Sequence, residues 1–325
     1  MTNDGATISP TLGNSSIGFH SSFVIRHWIK QVGTSHRLFS FQRILAIAAN
    51  TLTELTRQKV FYVLLIFALV LIGSSVFMAR FRFQQEFQIM KDVSLGAMSI
   101  FSSLLAIVAT ARLIPQDVDD RTIYTILAKP VPRFEYLLGK LLGVLLLLAI
   151  SVVLMSALFI VVLYVREQTV MSETLRQMSR APREQMDDAL NAVRTAGLNI
   201  DILAGVAVIY LKACLLAALT LFVSTFATTN IFTVVVTVFV YFIGHLQSTA
   251  REYWLEQQTT GRLTRAFLAL VALIFPDLQA FNLVDEIVAG VAIPLALLAK
   301  TALLGIFYTV IYTLAATFVF YGKEL

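Results

Sequence analysis

The third long apolar run of the chain decides its fold class: residues 137–165 read LLGKLLGVLLLLAISVVLMSALFIVVLYV. Lys140 is the only charged residue in this run. The hydrocarbon core of a bilayer is about 30 Å thick, and about 20 mostly apolar helical residues cross it. The run exceeds that length, so we expect a membrane-spanning helix that either tilts or continues past the headgroups.

Five further runs of the chain pass the same test of length and apolar composition. The six predicted spans are Val60 to Phe77, Leu95 to Leu113, Leu137 to Val165, Ile202 to Phe226, Ile231 to Leu246, and Pro294 to Tyr321. We therefore predict an all-α polytopic membrane protein with six transmembrane helices.

The composition supports a lipid environment. Of the 325 residues, 58% are apolar and 14% are charged, whereas about a quarter of a soluble domain is charged. The net charge of +5 is mild and the basic residues are scattered, which does not favour nucleic acid as a partner. A single cysteine, Cys214, excludes a disulfide framework or a cysteine metal cluster within one chain.

The N-terminal part divides at about residue 38. Residues 1–38 are rich in Ser, Thr, Gly and Asn, and we expect a disordered polar tail ahead of a membrane domain at 39–325. After the tail, apolar residues recur at helical spacing: Phe41, Ile44, Leu45, Ala48, Leu52 and Leu55. This pattern predicts an amphipathic helix in the membrane interface, with its apolar face toward the acyl chains.

The loop at 166–199 is predicted to carry a short helix on the outer side. Pro182 occupies a position that suits a first helical turn, and Gly197 follows as a stop. Between them Met186 and Leu190 belong to an apolar stripe with helical spacing. We expect this helix to cap the bundle or the membrane surface.

A second unusual segment, 266–291, precedes the last span. The apolar run from Ala266 to Phe275 has only ten residues and ends at Pro276, so it is too short to cross. We predict a re-entrant helical hairpin that turns at Pro276 and gates the outer end of a pathway. The candidate gate residues are Phe275, Pro276, Asp277, Phe281 and Asn282. For Asp277 and Asn282, local capping of the turn is favoured over cargo binding.

The spans are nearly free of ionisable residues, and no nucleotide-binding, HExxH or GxSxG motif is present in the chain. We predict no catalytic, cofactor-binding or metal-ligating residue. The clear exception is Lys212, which lies about ten residues into the fourth span, where a charge costs about 2.5–3.5 kcal/mol on insertion scales. Lys212 either serves a pathway or partner, or extends to the outer headgroups; the second interpretation is favoured.

The loop between spans two and three, residues 115–136, is the most informative segment. An acidic run at 117–120 precedes a short amphipathic helix with Ile123, Ile126 and Leu127 on one face, which ends at Pro130. Such a helix either rests on headgroups or docks onto a cytoplasmic partner.

These residues resemble the coupling-helix signature of ABC type-2 exporter permeases. The resemblance rests on an acidic pair followed by Arg121-Thr122-Ile123, then Leu127-Ala128-Lys129-Pro130-Val131, Arg133, Tyr136, Gly139 and Lys140. Looser similarity extends over about residues 41–325. The chain departs from the family in having Asp117 and Asp119 where Glu is commoner, and in a longer loop at 166–199.

The resemblance implies a permease that dimerises with itself or a related chain, and that binds separate cytoplasmic ABC ATPase subunits. ATP and Mg²⁺ would bind to those subunits and not to this chain, which is therefore not expected to be an enzyme. The residues it implies for ATPase coupling are Asp117, Asp119, Asp120, Arg121, Thr122, Ile123, Ile126, Leu127, Lys129, Pro130 and Arg133.

The orientation of the chain follows from the positive residues before the first span. Lys and Arg divide equally between the two sides, but Arg57 and Lys59 favour a cytoplasmic N-terminus. We expect a multi-pass protein of the plasma (inner) membrane with both termini cytoplasmic. Two other functions remain open: a membrane scaffold that transmits ATPase motion to an outer partner, and a secondary transporter, which would show paired broken helices and intramembrane charges.

Overall fold

The computed structural model describes residues 40–79, 86–119, 132–177, 182–199, 201–256, 275–289 and 293–322, with a few side chains inside these ranges excepted. In this part of the chain every regular element is helical and no β-strand occurs. The α-helices are α1 (Phe41–Thr56), α2 (Lys59–Ala79), α3 (Glu86–Ala111), α4 (Leu113–Asp119), α5 (Arg133–Gln177), α6 (Arg183–Ala196), α7 (Asp201–Phe226), α8 (Asn230–Glu256), α9 (Val284–Val288) and α10 (Leu295–Gly322).

Six helical stretches are long and apolar enough to cross a membrane, which confirms the predicted fold class. They lie in α2, in α3 with α4, in α5, in α6 with α7, in α8 and in α10. The most buried of them contains α7, which packs against α3, α5, α8 and α10 and forms the centre of the bundle. The apolar surfaces of α2, α8 and α10 face outward, as expected of helices in contact with lipid.

The helical bundle has two ends, the loop end and the far end. The loop end holds Asp119 and Arg133, which flank the loop between the second and third spans. The far end holds Glu86, Asp201 and Leu295, where α3, α7 and α10 begin. Because α-helices cross the bundle alternately up and down, these two ends correspond to opposite sides of a membrane.

The amphipathic helix α1 forms as predicted, but its buried face differs from the expectation. Ile44, Ala48, Thr51 and Leu55 are buried, and the helix packs against α5. Phe41 and Leu45, which were expected on the same apolar face, are 61% and 44% exposed. The apolar face that was expected to contact acyl chains is therefore split in two: Ile44, Ala48 and Leu55 contact protein, and Phe41 and Leu45 are exposed.

Two glycines of α5 explain why α1 approaches so closely. A Cβ added at Gly139 would lie 2.7 Å from the Ile47 Cβ, and one added at Gly143 would lie 2.6 Å from the Thr51 Cβ. Real Cβ atoms do not approach other heavy atoms so closely, so both positions require glycine in this packing. Glycines four residues apart give a helix a smooth groove that admits the backbone of a neighbour.

The helix α5 is 45 residues long. At 1.5 Å per residue it extends about 65 Å, roughly twice the hydrocarbon thickness. Its excess length projects at the far end, where α6 packs against it. The helix α6 is preceded by Pro182 and ends at Gly197, as predicted, and none of its residues is fully buried.

Only the second part of the predicted re-entrant segment lies within the described residues. A 3-10 turn at Gln279–Phe281 and the short helix α9 follow Pro276. Leu278, Phe281 and Ile287 are at most 2% exposed, so this part is packed inside the protein. The first arm, Ala266 to residue 274, lies outside the described residues, and the hairpin stays a prediction.

Candidate functional site: the anchored coupling loop

A buried ion pair joins α4 and α5, which hold the two ends of residues 115–136, the coupling loop. Lys140 Nζ of α5 lies 2.8 Å from Asp117 Oδ2 of α4, and both side chains are at most 10% exposed. The Tyr136 hydroxyl, also buried, donates a hydrogen bond to the same carboxylate. Asp117 thus accepts from two residues of α5, and the ends of the loop are held together.

The helix α1 joins this arrangement through two charged contacts. Arg43 contacts both carboxylate oxygens of Glu135, from Nε to Oε2 at 2.9 Å and from Nη2 to Oε1 at 3.1 Å. Glu135 is fully buried, and the Arg43 guanidinium supplies the opposite charge that its carboxylate needs there. Lys140 also lies 3.6 Å from Glu54 Oε2 on α1. We call these six residues the ion cluster: Arg43, Glu54, Asp117, Glu135, Tyr136 and Lys140.

The first residue of α5, Arg133, is anchored to the final helix. Arg133 Nη1 donates to the backbone carbonyl oxygens of Phe320 at 3.0 Å and Tyr321 at 2.8 Å. Carbonyl groups in the last turn of a helix have no intrahelical partner, and a cation there also interacts favourably with the helix dipole. The guanidinium lies 5.9 and 5.7 Å from the two ring centroids. Arg133 therefore caps α10.

Three of the residues predicted for ATPase coupling are described by the structure. Asp117 belongs to the ion cluster, Arg133 caps α10, and Asp119 is exposed at the end of α4. The others lie outside the described residues, and their contact with an ATPase stays a prediction: Asp120, Arg121, Thr122, Ile123, Ile126, Leu127, Lys129 and Pro130.

Sequence reasoning did not assign Arg43, Glu54 or Glu135 to this site. The helical pattern at 41–55 identifies only the apolar face of α1, which includes neither Arg43 nor Glu54. Arg43 and Glu135 are 92 positions apart, and neither belongs to a local motif. Opposite charge alone does not identify a pair at that separation.

The candidate gate residues lie in the segment 275–289. Three spans each place a glycine against this segment, which leaves room for its side chains. A Cβ at Gly244 of α8 would lie 2.8 Å from Leu278 Cγ, and one at Gly305 of α10 would lie 3.0 Å from Phe281 Cε1. A Cβ at Gly205 of α7 would overlap Ile287. The Leu278 N–H also donates to the Gly244 carbonyl oxygen at 3.0 Å. The segment is thus fitted between α7, α8 and α10.

Within this segment the predicted polar residues make local contacts. Asp277 Oδ1 accepts a hydrogen bond from the Gln279 N–H at 3.1 Å, and the Asn282 N–H donates to the Gln279 carbonyl oxygen at 2.8 Å. Pro276 is buried and Phe275 is half-buried. These contacts agree with the interpretation of Asp277 as a local cap; a gating role is untested.

Lys212 lies inside the bundle. It is 3% exposed, and its Nζ lies 3.2 Å from Ser99 Oγ of α3 and 3.0 Å from His245 Nε2 of α8. The ammonium is also 5.5 Å from the centroid of the Tyr241 ring. Its contacts are with neighbouring helices, so the expectation that Lys212 extends to the headgroups does not describe this structure.

Comparison with known proteins gives the family of the chain. No curated protein matches the sequence. Residues 38–325 match the family described as "ABC-2 family transporter protein". The match begins just before α1 and includes the coupling loop, the ion cluster and the segment before α10. The chain is therefore a multi-pass membrane protein that belongs to the ABC-2 transporter family.

Proposed function

We propose that this chain is the permease subunit of an ATP-driven exporter, and that separate ABC ATPase subunits dock on its coupling loop. The observation that carries the proposal is the anchoring of both ends of that loop. Asp117 and Lys140 connect its ends to each other, and Arg133 connects it to α10. A force applied to the loop would therefore act on several helices at once.

The helix α5 supplies a route for that force across the membrane. It begins at Arg133 in the coupling loop and continues without interruption to Gln177. A hydrogen-bonded helix resists bending over such a length better than a chain of separate elements. Movement of the ATPase subunits would thus reach the far end through one rigid element.

The second helix moved by the loop would be α1. Its close packing on Gly139 and Gly143 and its contacts with Glu135 and Lys140 connect it firmly to α5. In the proposed orientation, with both termini cytoplasmic, α1 lies on the same side as the ATPase subunits. It would then transmit their displacement to the first span, α2, which follows it directly.

A second permease copy is also part of the proposal. The helix α8 presents an exposed stripe at spacings of three and four residues: Phe232, Val235, Phe239, Phe242 and Leu246. Such a stripe allows side chains of two helices to interdigitate. We propose that α8 contacts a second copy of the permease or a related chain, and that other outward surfaces contact lipid of the plasma membrane.

The projecting pair of α5 and α6 favours one alternative, a scaffold that passes ATPase motion to an outer partner without transport. In both cases the ATPase subunits bind the same loop. Co-expression with the ABC ATPase of the native host, followed by purification, tests that shared step. ATP-dependent movement of cargo in proteoliposomes then supports the exporter, whereas ATP turnover that depends on the permease but moves no cargo supports the scaffold.

A further inference from the structure

Lys212 is a buried cation that the coupling mechanism does not use. Its Nζ atom lies between α3, α7 and α8, with Ser99 Oγ at 3.2 Å and His245 Nε2 at 3.0 Å. An ammonium has three N–H donors, and these contacts occupy two of them. No acceptor among the described residues hydrogen-bonds the third, which leaves a donor for a ligand.

The charge of the pair follows from the second nitrogen of His245. Its Nδ1 atom lies 3.0 Å from the backbone carbonyl oxygen of Tyr241, which can only accept a hydrogen bond. We therefore assign the proton to Nδ1, so that Nε2 carries a lone pair and accepts from Lys212. In this arrangement the imidazole is neutral and the ammonium keeps its charge.

That charge has no carboxylate partner in the described part of the chain. No Asp or Glu oxygen described lies within 4.0 Å of Lys212 Nζ, whereas Arg43, Lys140 and Arg166 each have one. Asp277 interacts electrostatically with His245, the histidine that contacts Lys212. A buried cation that has only neutral contacts is expensive in a membrane protein, and an anionic ligand would offset that cost.

The surroundings indicate what else the ligand carries. Next to Lys212 along α7, Leu211 packs at Gly305, where Phe281 of the segment before α10 also lies. Gly244, adjacent to His245, is covered by Leu278. The segment 275–289 packs against α3, α7 and α8, the three helices that carry Ser99, Lys212 and His245, and it brings apolar side chains next to them.

We propose that Lys212, together with Ser99 and His245, binds the anionic headgroup of an amphiphilic cargo, either a carboxylate or a phosphate. This inference rests on the proposed transport function and names the substrate class. The ammonium would form an ion pair with the headgroup, Ser99 and His245 would hold the ammonium in place, and the apolar side chains around it would contact the hydrocarbon part. Access to the site requires displacement of the segment 275–289.

The test uses the purified full-length chain in phosphatidylcholine nanodiscs without ATPase. Decanoate, decyl phosphate, decanol and decyltrimethylammonium are titrated, and the affinity is obtained from the shift of the unfolding midpoint. We expect at least one anion to bind at least tenfold more tightly than decanol. The stronger of the two anions identifies whether the headgroup is a carboxylate or a phosphate, and either result supports the site.

Variants connect that binding to Lys212. Lys212→Met should weaken the anion at least tenfold, Lys212→Arg should retain it, and Lys300→Met, which removes an exposed lysine of α10, should bind as the wild type does. Equal affinity for decanol and both anions would overturn the proposal, as would full anion affinity in Lys212→Met. If Lys212→Met does not fold, the wild-type comparison and His245→Gln decide: a selective anion whose affinity falls in His245→Gln supports the site, and an unchanged affinity overturns it.

Failure of this site is distinguishable from failure of the proposed function, because the binding assay contains no ATPase. Loss of anion selectivity with intact ATPase co-purification would leave an exporter whose cargo binds elsewhere. Selective anion binding without any ATPase partner would leave the site intact and reject the proposed function.

Discussion

Lys140 and Asp117 form an ion pair of 2.8 Å between the helices that enter and leave the coupling loop. Both side chains are almost fully buried although each carries a charge. Removing one partner of such a pair leaves an uncompensated charge, which costs more than the pair itself contributes. The pair therefore fixes the separation of α4 and α5 at the point where the loop begins to leave the bundle.

The first prediction concerns this pair. Asp117→Asn and Lys140→Met should each destabilise the permease by about 3 kcal/mol, because each removes the closest opposite charge from a buried group. The double variant should be less destabilised than the sum of the two, as contacting residues are not additive. Unfolding midpoints of the purified protein measure all three. Strict additivity would show that the two side chains do not interact.

The second prediction concerns the close approach of α1 and α5. Gly143→Ala places a Cβ 2.6 Å from that of Thr51, so we expect a loss of about 1–3 kcal/mol from overpacking. Gly96→Ala on α3 is the matched control, because no atom lies within 4 Å of the added Cβ. That variant should be neutral or slightly stabilising. If both variants shift the unfolding midpoint equally, the packing described for Gly143 is wrong.

The third prediction concerns the segment before α10. Phe281 is 2% exposed and packs on Gly305, so Phe281→Ala should cost about 3–5 kcal/mol through the cavity it leaves. Gln279→Ala, an exposed position in the same 3-10 turn, should have little effect.

If the segment gates the pathway, Phe281→Ala, Phe275→Ala and Pro276→Ala should also change transport or basal ATP turnover of the assembled complex. Binding of the ATPase should remain. Unaltered transport and turnover in all three variants would reject the gate, even if the stability loss is found.

The fourth prediction concerns topology. In a Cys214→Ser background, a cysteine at exposed Asn191 of α6 should react with an impermeant maleimide in intact cells, and one at exposed Thr53 of α1 should not. The expectation follows from a cytoplasmic N-terminus, which places α6 on the outer side. Labelling at residue 53 without labelling at residue 191 would invert the orientation.

Elements that depend on local pattern were predictable from the sequence. Apolar runs of sufficient length gave the six spans, and Pro182 and Gly197 bounded α6, because proline and glycine act on the backbone at their own positions. The helical period of α1 was equally local. Its buried face was not, since Phe41 and Leu45 are exposed while Thr51 is buried.

Features that depend on which helices contact each other were not predictable from the sequence. Gly139 and Gly143 form a groove on α5, but the sequence does not show that α1 is the helix that lies in this groove. The contact of Lys212 with His245 joins residues 33 positions apart on two different spans. Hydrophobicity predicts that both residues lie in spans, but it does not predict which faces of the two helices are turned toward each other. For this reason the sequence favoured contact of Lys212 with the headgroups.

Docking of the ATPase subunits on the coupling loop can be measured by co-purification. The permease is expressed with the ABC ATPase of its native host, as wild type and as the double variant Arg121→Glu with Ile126→Asp, and the ATPase retained per permease is measured. We predict stoichiometric ATPase with the wild type and none with the double variant, which should still reach the membrane and unfold at the wild-type midpoint. Stoichiometric ATPase on the double variant would show that the ATPase subunits do not bind through the coupling loop.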